Sequence, residues 1–250
     1  MLLRRVIAHV RAQDWTAVAI DFAIVVLGIL LAMQISEWNQ ARHDRVRERA
    51  YLGRIAADLE QSFQDIEHSI ALAQEREALG RLLVDSVEDE ASVRADPGRY
   101  FSALAKSGYT YSPAIRSHAF DELRSSGELG LVADKALLVA ITEFYTDVGE
   151  VAQWSYIREI KQTEYMKRAA GILDFGQLQR ASSSEEPVEA SVDEALAARA
   201  RMLARPDFIE WLPAVGDRGD DILRYRKWLR EAQALRERIV AHPTLAGEAP

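Results

Sequence analysis

Cysteine is absent from the 250 residues, which excludes disulfide bridges, thiolate zinc sites and cysteine nucleophiles together. Glycine is sparse, at thirteen, and never takes the GxxxxGK[S/T] or GxGxxG spacing that cradles phosphates, so nucleotide hydrolysis has no motif to rest on. Histidine is scarce too. His9, His43, His68, His118 and His242 are scattered, and none has the close His or carboxylate spacing of a zinc or di-iron centre. An excess of positive charge is also lacking: the formal charge is −8, which argues against a nucleic-acid partner, since affinity for phosphates comes from clustered Lys and Arg. The arginines are interleaved with acids, as at Arg45, Arg47, Glu48 and Arg49, which is the pattern of a solvated helical face. On these grounds no catalytic residue, cofactor site or metal ligand is assigned.

A long hydrophobic run is present. Residues 16–35 read TAVAIDFAIVVLGILLAMQI, with the single charge Asp21, and at 1.5 Å per residue they cover about 30 Å of hydrocarbon. Trp15 and Trp38 bracket the run as interface anchors, placed where amphipathic rings sit at headgroup level, and Arg4, Arg5 and Arg11 lie just outside it. A cleaved signal peptide competes with this reading, but its apolar region is shorter and ends in a small-x-small site, whereas here Met33-Gln34-Ile35-Ser36-Glu37-Trp38 follows. A buried core helix is the other alternative, disfavoured by the apolar character on every face.

Residues 21–39, DFAIVVLGILLAMQISEWN, resemble the anchor signature of a domain-of-unknown-function family of bacterial single-pass membrane proteins. That pattern has an acidic residue, a Val/Ile/Leu run, Gly-Ile-Leu, Ala, Gln-Ile and Trp-Asn. Residues 119–145, AFDELRSSGELGLVADKALLVAITEFY, resemble the same family's Ser-Ser-Gly stretch with its spaced leucines and terminal aromatic pair. The sequence departs from the pattern in carrying Asp21 where Glu is usual and Phe144 as the first of that pair. The resemblance implies a single-pass anchor with a helical domain and implies no activity.

Beyond Trp38, Leu52, Ile55, Leu59, Phe63, Ile66, Ile70 and Ala73 recur at steps of three and four, the period of one helix face in a bundle or coiled coil. One helix continuous with the span is expected, with Gly80 a candidate bend or stop. Asp96-Pro97 and Ser112-Pro113 carry cap-plus-proline signals for helix starts. Gly127 suits a left-handed stop and Asp134 a cap for a helix running to about Ala170. Residues 171–190 lose periodicity and gather Ser, Glu and Pro, the composition of a flexible loop. Ser191 and Glu194 have capping-box spacing, opening a helix that Pro206 closes, and a last helix starts at about Asp217. No stretch alternates with a period of two, so the fold class is all-α. The expected organisation is a tail at 1–15, a transmembrane helix at 16–36, long helices of a soluble bundle at 37–170, the flexible loop at 171–190, C-terminal helices of the same bundle at 191–242 and a frayed tail at 243–250. Its core should include Leu59, Phe63, Ile66, Phe120, Leu123, Leu137, Ile141, Phe144, Leu229 and Leu235.

Within the anchor, Asp21, Gly28 and Ala32 fall on one helix face, so an intramembrane carboxylate shares a stripe with a small-xxx-small pair. This stripe is the candidate association face; the competing account is that Asp21, near the end of the span, reaches interfacial water. Trp154, Trp211 and Trp228 read as core residues ahead of interface anchors. Ser125 and Ser126 read as part of a helix stop, and Arg218-Gly219-Asp220 as a helix start rather than an adhesion motif.

The expected partners are the lipid bilayer and either a second copy or another membrane protein, with no nucleic acid. The expected function is a membrane-anchored, non-catalytic interaction or accessory role. An enzyme of unrecognised type and a ligand-sensing helical domain working through a partner are the alternatives. For topology, the short Arg-Arg-bearing tail favours a cytoplasmic N-terminus and a periplasmic domain at a bacterial inner membrane. The arginine count after the span (Arg42, Arg45, Arg47, Arg49, Arg54) pulls the other way.

Overall fold

The computed structural model describes residues 15–109, 111–153, 155–183 and 188–246, apart from the side chains at 15–18, 21, 151–153, 155–158 and 183. The chain is all-α, with no strand among the described residues and an isolated bridge between Ala170 and Leu173. It divides into two compact units, Met1–Ala50 and Tyr51–Pro250. The first element among the described residues, α1, is the helix Trp15–Glu88, whose residues are shared between both units.

In the first unit α1 carries its apolar run in the open. An 18-residue window there has a mean hydropathy of 1.6 and is 0% buried, and the helix is long and apolar enough to cross a membrane. Large side chains such as Phe22, Ile24, Leu27, Leu31 and Ile35 are all more than half exposed.

In the second unit the remaining helices are α2 (Ala91–Ala95), α3 (Pro97–Lys106), α4 (His118–Ser125), α5 (Lys135–Gln153), α6 (Ser155–Ala169), α7 (Phe175–Ser183), α8 (Val192–Leu203), α9 (Pro206–Gly216), α10 (Gly219–Val240) and α11 (Pro243–Ala246). A 3-10 turn at Glu128–Leu131 separates α4 from α5. Three apolar clusters hold them together. Leu79 and Leu83 of α1 pack with Tyr100, Phe101, Tyr165, Met202, Phe208 and Leu212. Leu52, Ile55 and Leu59 pack with Phe120, Leu123, Leu137, Ile141 and the far end of α10 at Leu235 and Ile239. Between these, Ile66 meets Tyr225 and Trp228. Of the expected core, Phe63 and Leu229 are half-buried at the edges of these clusters and the others are buried.

Local capping sets several of the helix starts. Asp96 Oδ1 accepts from the Arg99 backbone N–H at 2.8 Å with Pro97 in the first turn, and Asp134 Oδ1 accepts from the Leu137 N–H at 3.0 Å. Ser191 and Glu194 form a reciprocal capping box. Gly127 takes the left-handed conformation after α4, at φ 74°.

Four expectations need correction. Gly80 does not end α1, which continues to Glu88; a Cβ built on it would stand 2.5 Å from the Gly216 Cα, so it marks a close crossing with α9. Ser112-Pro113 does not open a helix. The chain stays non-helical until His118, because the first turn of α4 takes its cap from another element: Asp58 Oδ2 of α1 accepts from the Ala119 N–H at 2.9 Å, and Ser62 Oγ accepts from the Arg116 N–H at 2.9 Å. The flexible loop expected at 171–190 contains α7, and Ile172, Leu173, Ala181 and Val188 are buried. Asp174 Oδ1 accepts from the Gln177 N–H at 2.8 Å while Gln177 Oε1 accepts from the Asp174 N–H at 3.0 Å, a capping box that outweighs the polar composition. Finally, Pro206 does more than follow the helix that ends at Leu203: it is the first residue of α9, where its missing N–H has no helical acceptor to lose.

Candidate functional site

The residues singled out in the anchor all belong to the first unit. Gly28 and Ala32 lie one helical turn apart on the exposed surface of α1, and a Cβ added at Gly28 would meet nothing within 4 Å. Asp21 sits seven positions before Gly28, on the same face of the helix backbone; its side chain, like that of Trp15, lies outside the described residues. Trp38 is exposed. Arg47 and Asp44 make a loose ion pair at 4.0 Å farther along, which contributes little at the surface.

The described candidate residues of the second unit make contacts within the fold. Ser125 and Ser126 direct their hydroxyls to the carbonyls of Glu122 and Leu123. Trp228 is buried, and its Nε1 donates to Asp147 Oδ2 at 2.9 Å. Asp147 also accepts from Lys227 Nζ at 3.1 Å. Burial opposes ionisation of that carboxyl, but the two donated bonds hold it below the ordinary carboxylate range. Trp211 packs against the first cluster with the Arg168 guanidinium 5.0 Å over its ring. Trp154 lies outside the described residues. Arg218 is 7% exposed, with its Nη2 donating to the Ser107 carbonyl at 2.9 Å, so the Arg-Gly-Asp tripeptide does not present its arginine to solvent. Among the described residues no group of three or more histidines and carboxylates is placed to hold a metal.

The second unit also contains a cavity of about 380 Å³, within the usual range of small-molecule sites. Leu72, Ala73 and Arg76 line it from one face of α1. Ala105 and Lys106 come from the end of α3, Tyr109 and Tyr111 from the connection that follows, and Arg218, Asp221 and Tyr225 from one face of the start of α10. Three cations therefore face one carboxylate in a chain of net charge −8. Burial lowers the pKa of Arg76 below its ordinary value, with Glu75 opposing the fall. It does the same to Arg218, where Asp221 opposes the fall and the neighbouring charge of Arg76 adds to it. Tyr225 spans the floor by donating to the Tyr111 carbonyl at 3.0 Å.

Sequence reasoning missed this cavity, because its lining comes from four separate stretches. One signal was legible: Arg76 takes the next seat after Ile70 and Ala73 on the apolar stripe of α1, where an aliphatic residue is the norm.

Residues 21–168 match the model of a family of unknown function, DUF6090. No curated protein and no solved structure matches the chain.

Proposed function

The chain belongs to the DUF6090 family, and from that starting point we propose that it is a membrane-anchored, non-catalytic interaction protein. In this reading α1 crosses a bacterial inner membrane once and associates with a second copy or another membrane protein through the face of Asp21, Gly28 and Ala32. The observation that carries it is the uncovered apolar run of the first unit. An apolar surface of that extent is unstable in water and is satisfied by lipid, whose hydrocarbon core matches the length of the run. Gly28 and Ala32 support the choice of face, since small residues let two helix backbones approach closely enough for dispersion contacts to accumulate. A partner donor or a shared proton would relieve Asp21; a carboxylate exposed at the centre of a bilayer would cost about 3 kcal/mol on insertion scales, an upper bound for a residue near the end of the span. The domain stands in the periplasm with the short Arg-bearing tail in the cytoplasm.

With no native cysteine, single substitutions test the face cleanly in native membranes. Gly28→Cys and Ala32→Cys should give oxidant-dependent crosslinks to one product, and Leu30→Cys, on the opposite side of the helix, should not. Equal crosslinking from all three positions, or none from any, would reject the face. A fluorescent reporter active only in the cytoplasm, fused after Pro250, should stay dark; a bright fusion would reverse the orientation.

A further inference from the structure

We propose that the cavity between α1, α3 and α10 is a binding site for a small organic anion, with a carboxylate or phosphate head held by Arg76 and Arg218 and an apolar body lying along Leu72, Ala73 and Ala105. The site is independent of the anchor and of what the anchor associates with.

Unsatisfied donors inside the protein carry the inference. Arg76 Nη1 and Arg218 Nε are both buried, and neither has a hydrogen-bond partner among the described residues. Among the described residues Arg76 has one carboxylate within 4 Å, Glu75 Oε1 at 3.9 Å; this lies beyond hydrogen-bonding distance and belongs to a half-exposed side chain. Arg218 is more than nine-tenths buried, with one donor used on the Ser107 carbonyl. A buried guanidinium without its acceptors costs stability, and a methionine of similar length at position 76 would remove that cost. Two such arginines lining one cavity, close enough for the charge of Arg76 to disfavour that of Arg218, form an arrangement that favours an anion.

The guanidinium fork selects the head group, because its parallel N–H donors match the geometry of carboxylate and phosphate oxygens. The apolar wall selects against a bare ion. The cavity holds more than an inorganic anion would fill, and Leu72, Ala73 and Ala105 offer such an ion no hydrogen bond. Tyr109 and Tyr111, both partly exposed, stand at the rim. An aromatic body could stack on them as it enters.

The test uses the full chain in a neutral maltoside detergent, titrated calorimetrically at low salt with benzoate, phenyl phosphate, benzyl alcohol and inorganic phosphate. Benzoate or phenyl phosphate should bind, and whichever binds tighter identifies the head as planar or tetrahedral. Benzyl alcohol and inorganic phosphate should be weaker by at least about tenfold, each lacking half of the recognition. Arg76→Met should weaken the better probe by at least about tenfold while melting at the wild-type temperature or above it. Arg76→Lys, which keeps the charge and loses the fork, should fall between. Failure of both charged probes to bind would overturn the proposal, as would equal binding of benzyl alcohol. So would unchanged affinity in Arg76→Met, or a lowered melting temperature in both Arg76 variants, which would make the arginine structural.

Discussion

The crossing of Gly80 and Gly216 makes opposite predictions for the same substitution at two touching residues. At Gly80 a new Cβ would stand 2.5 Å from the Gly216 Cα and 3.3 Å from its nitrogen. Carbon atoms rest at about 3.5–4.0 Å, so α1 and α9 would have to part by roughly 1 Å. The obstacle is backbone and cannot rotate aside, which places the overpacking cost near the upper end of the usual range, about 3 kcal/mol. Alanine recovers about 1 kcal/mol of helix propensity, leaving Gly80→Ala destabilised by about 2 kcal/mol. Seen from the other partner, a Cβ on Gly216 comes no closer than 3.5 Å to Gly80, an ordinary contact. Gly216→Ala should therefore be neutral or stabilising by up to about 1 kcal/mol. Gly149, in α5 with nothing within 4 Å of its Cβ position, supplies the propensity gain alone. Thermal melts of the full chain in detergent, followed by helical circular dichroism, should show Gly80→Ala lower by about 4–8 °C and Gly149→Ala higher by about 2–4 °C. If Gly80→Ala melts above wild type like Gly149→Ala, the two helices do not cross there, and the assignment of Gly80 to packing rather than to a helix stop fails.

Other outcomes follow from single contacts. Tyr165→Phe removes a buried hydroxyl that accepts from Ser107 Oγ at 2.9 Å and donates to the Leu104 carbonyl at 2.8 Å; it should cost about 1–3 kcal/mol in urea unfolding, and an unchanged midpoint would contradict that network. Asp147 has a carboxyl held below its ordinary range, so its contribution is complete above about pH 4, the value for an unfolded chain, and is lost as pH falls through the lowered folded-state value. Melting curves of wild type and Asp147→Asn, in which Trp228 keeps an acceptor, should differ near neutral pH and converge in acid; a gap constant with pH would show that the charge plays no part. A fragment beginning after Gln40 should be soluble and helical and melt cooperatively, because the three core clusters all lie within the second unit; a strand-rich spectrum would contradict the all-α fold.

What could be read in advance was whatever the chain decides locally. Asp96-Pro97, Asp134 and Ser191 with Glu194 each cap a helix with atoms no more than three residues away, and the left-handed Gly127 needs no information beyond its missing side chain. The box of Asp174 and Gln177 obeys the same rule and was legible, but the serines and acids that follow it dominated the composition of residues 171–190. Pro206 was ambiguous by nature, since a proline fits both after one helix and at the head of the next. The start of α4 was out of reach: its cap is Asp58, 61 residues upstream, and no window of sequence joins the two. The cavity was hidden for the same reason, as Arg76 and Arg218 come together only once α1 and α10 pack.

That borrowed cap, together with the seating of α1 in all three clusters, divides the chain into parts that tolerate changes of length and parts that do not. Between Leu52 and Leu83, α1 must keep Leu52, Ile55 and Leu59 aimed at one cluster, Ile66 at a second, and Leu79 and Leu83 at a third. One residue gained or lost within that stretch turns everything beyond it by about 100° and carries whole clusters to the wrong side. The helix can therefore be lengthened or shortened only by steps of about seven residues that restore its register. Residues 112–115 run without helical register between the Tyr111 carbonyl, which accepts from Tyr225, and the Arg116 N–H, which donates to Ser62, so extra length there need only return to the same two ends. Insertions and deletions among descendants of this sequence should accumulate there, while the helix behind them keeps its count.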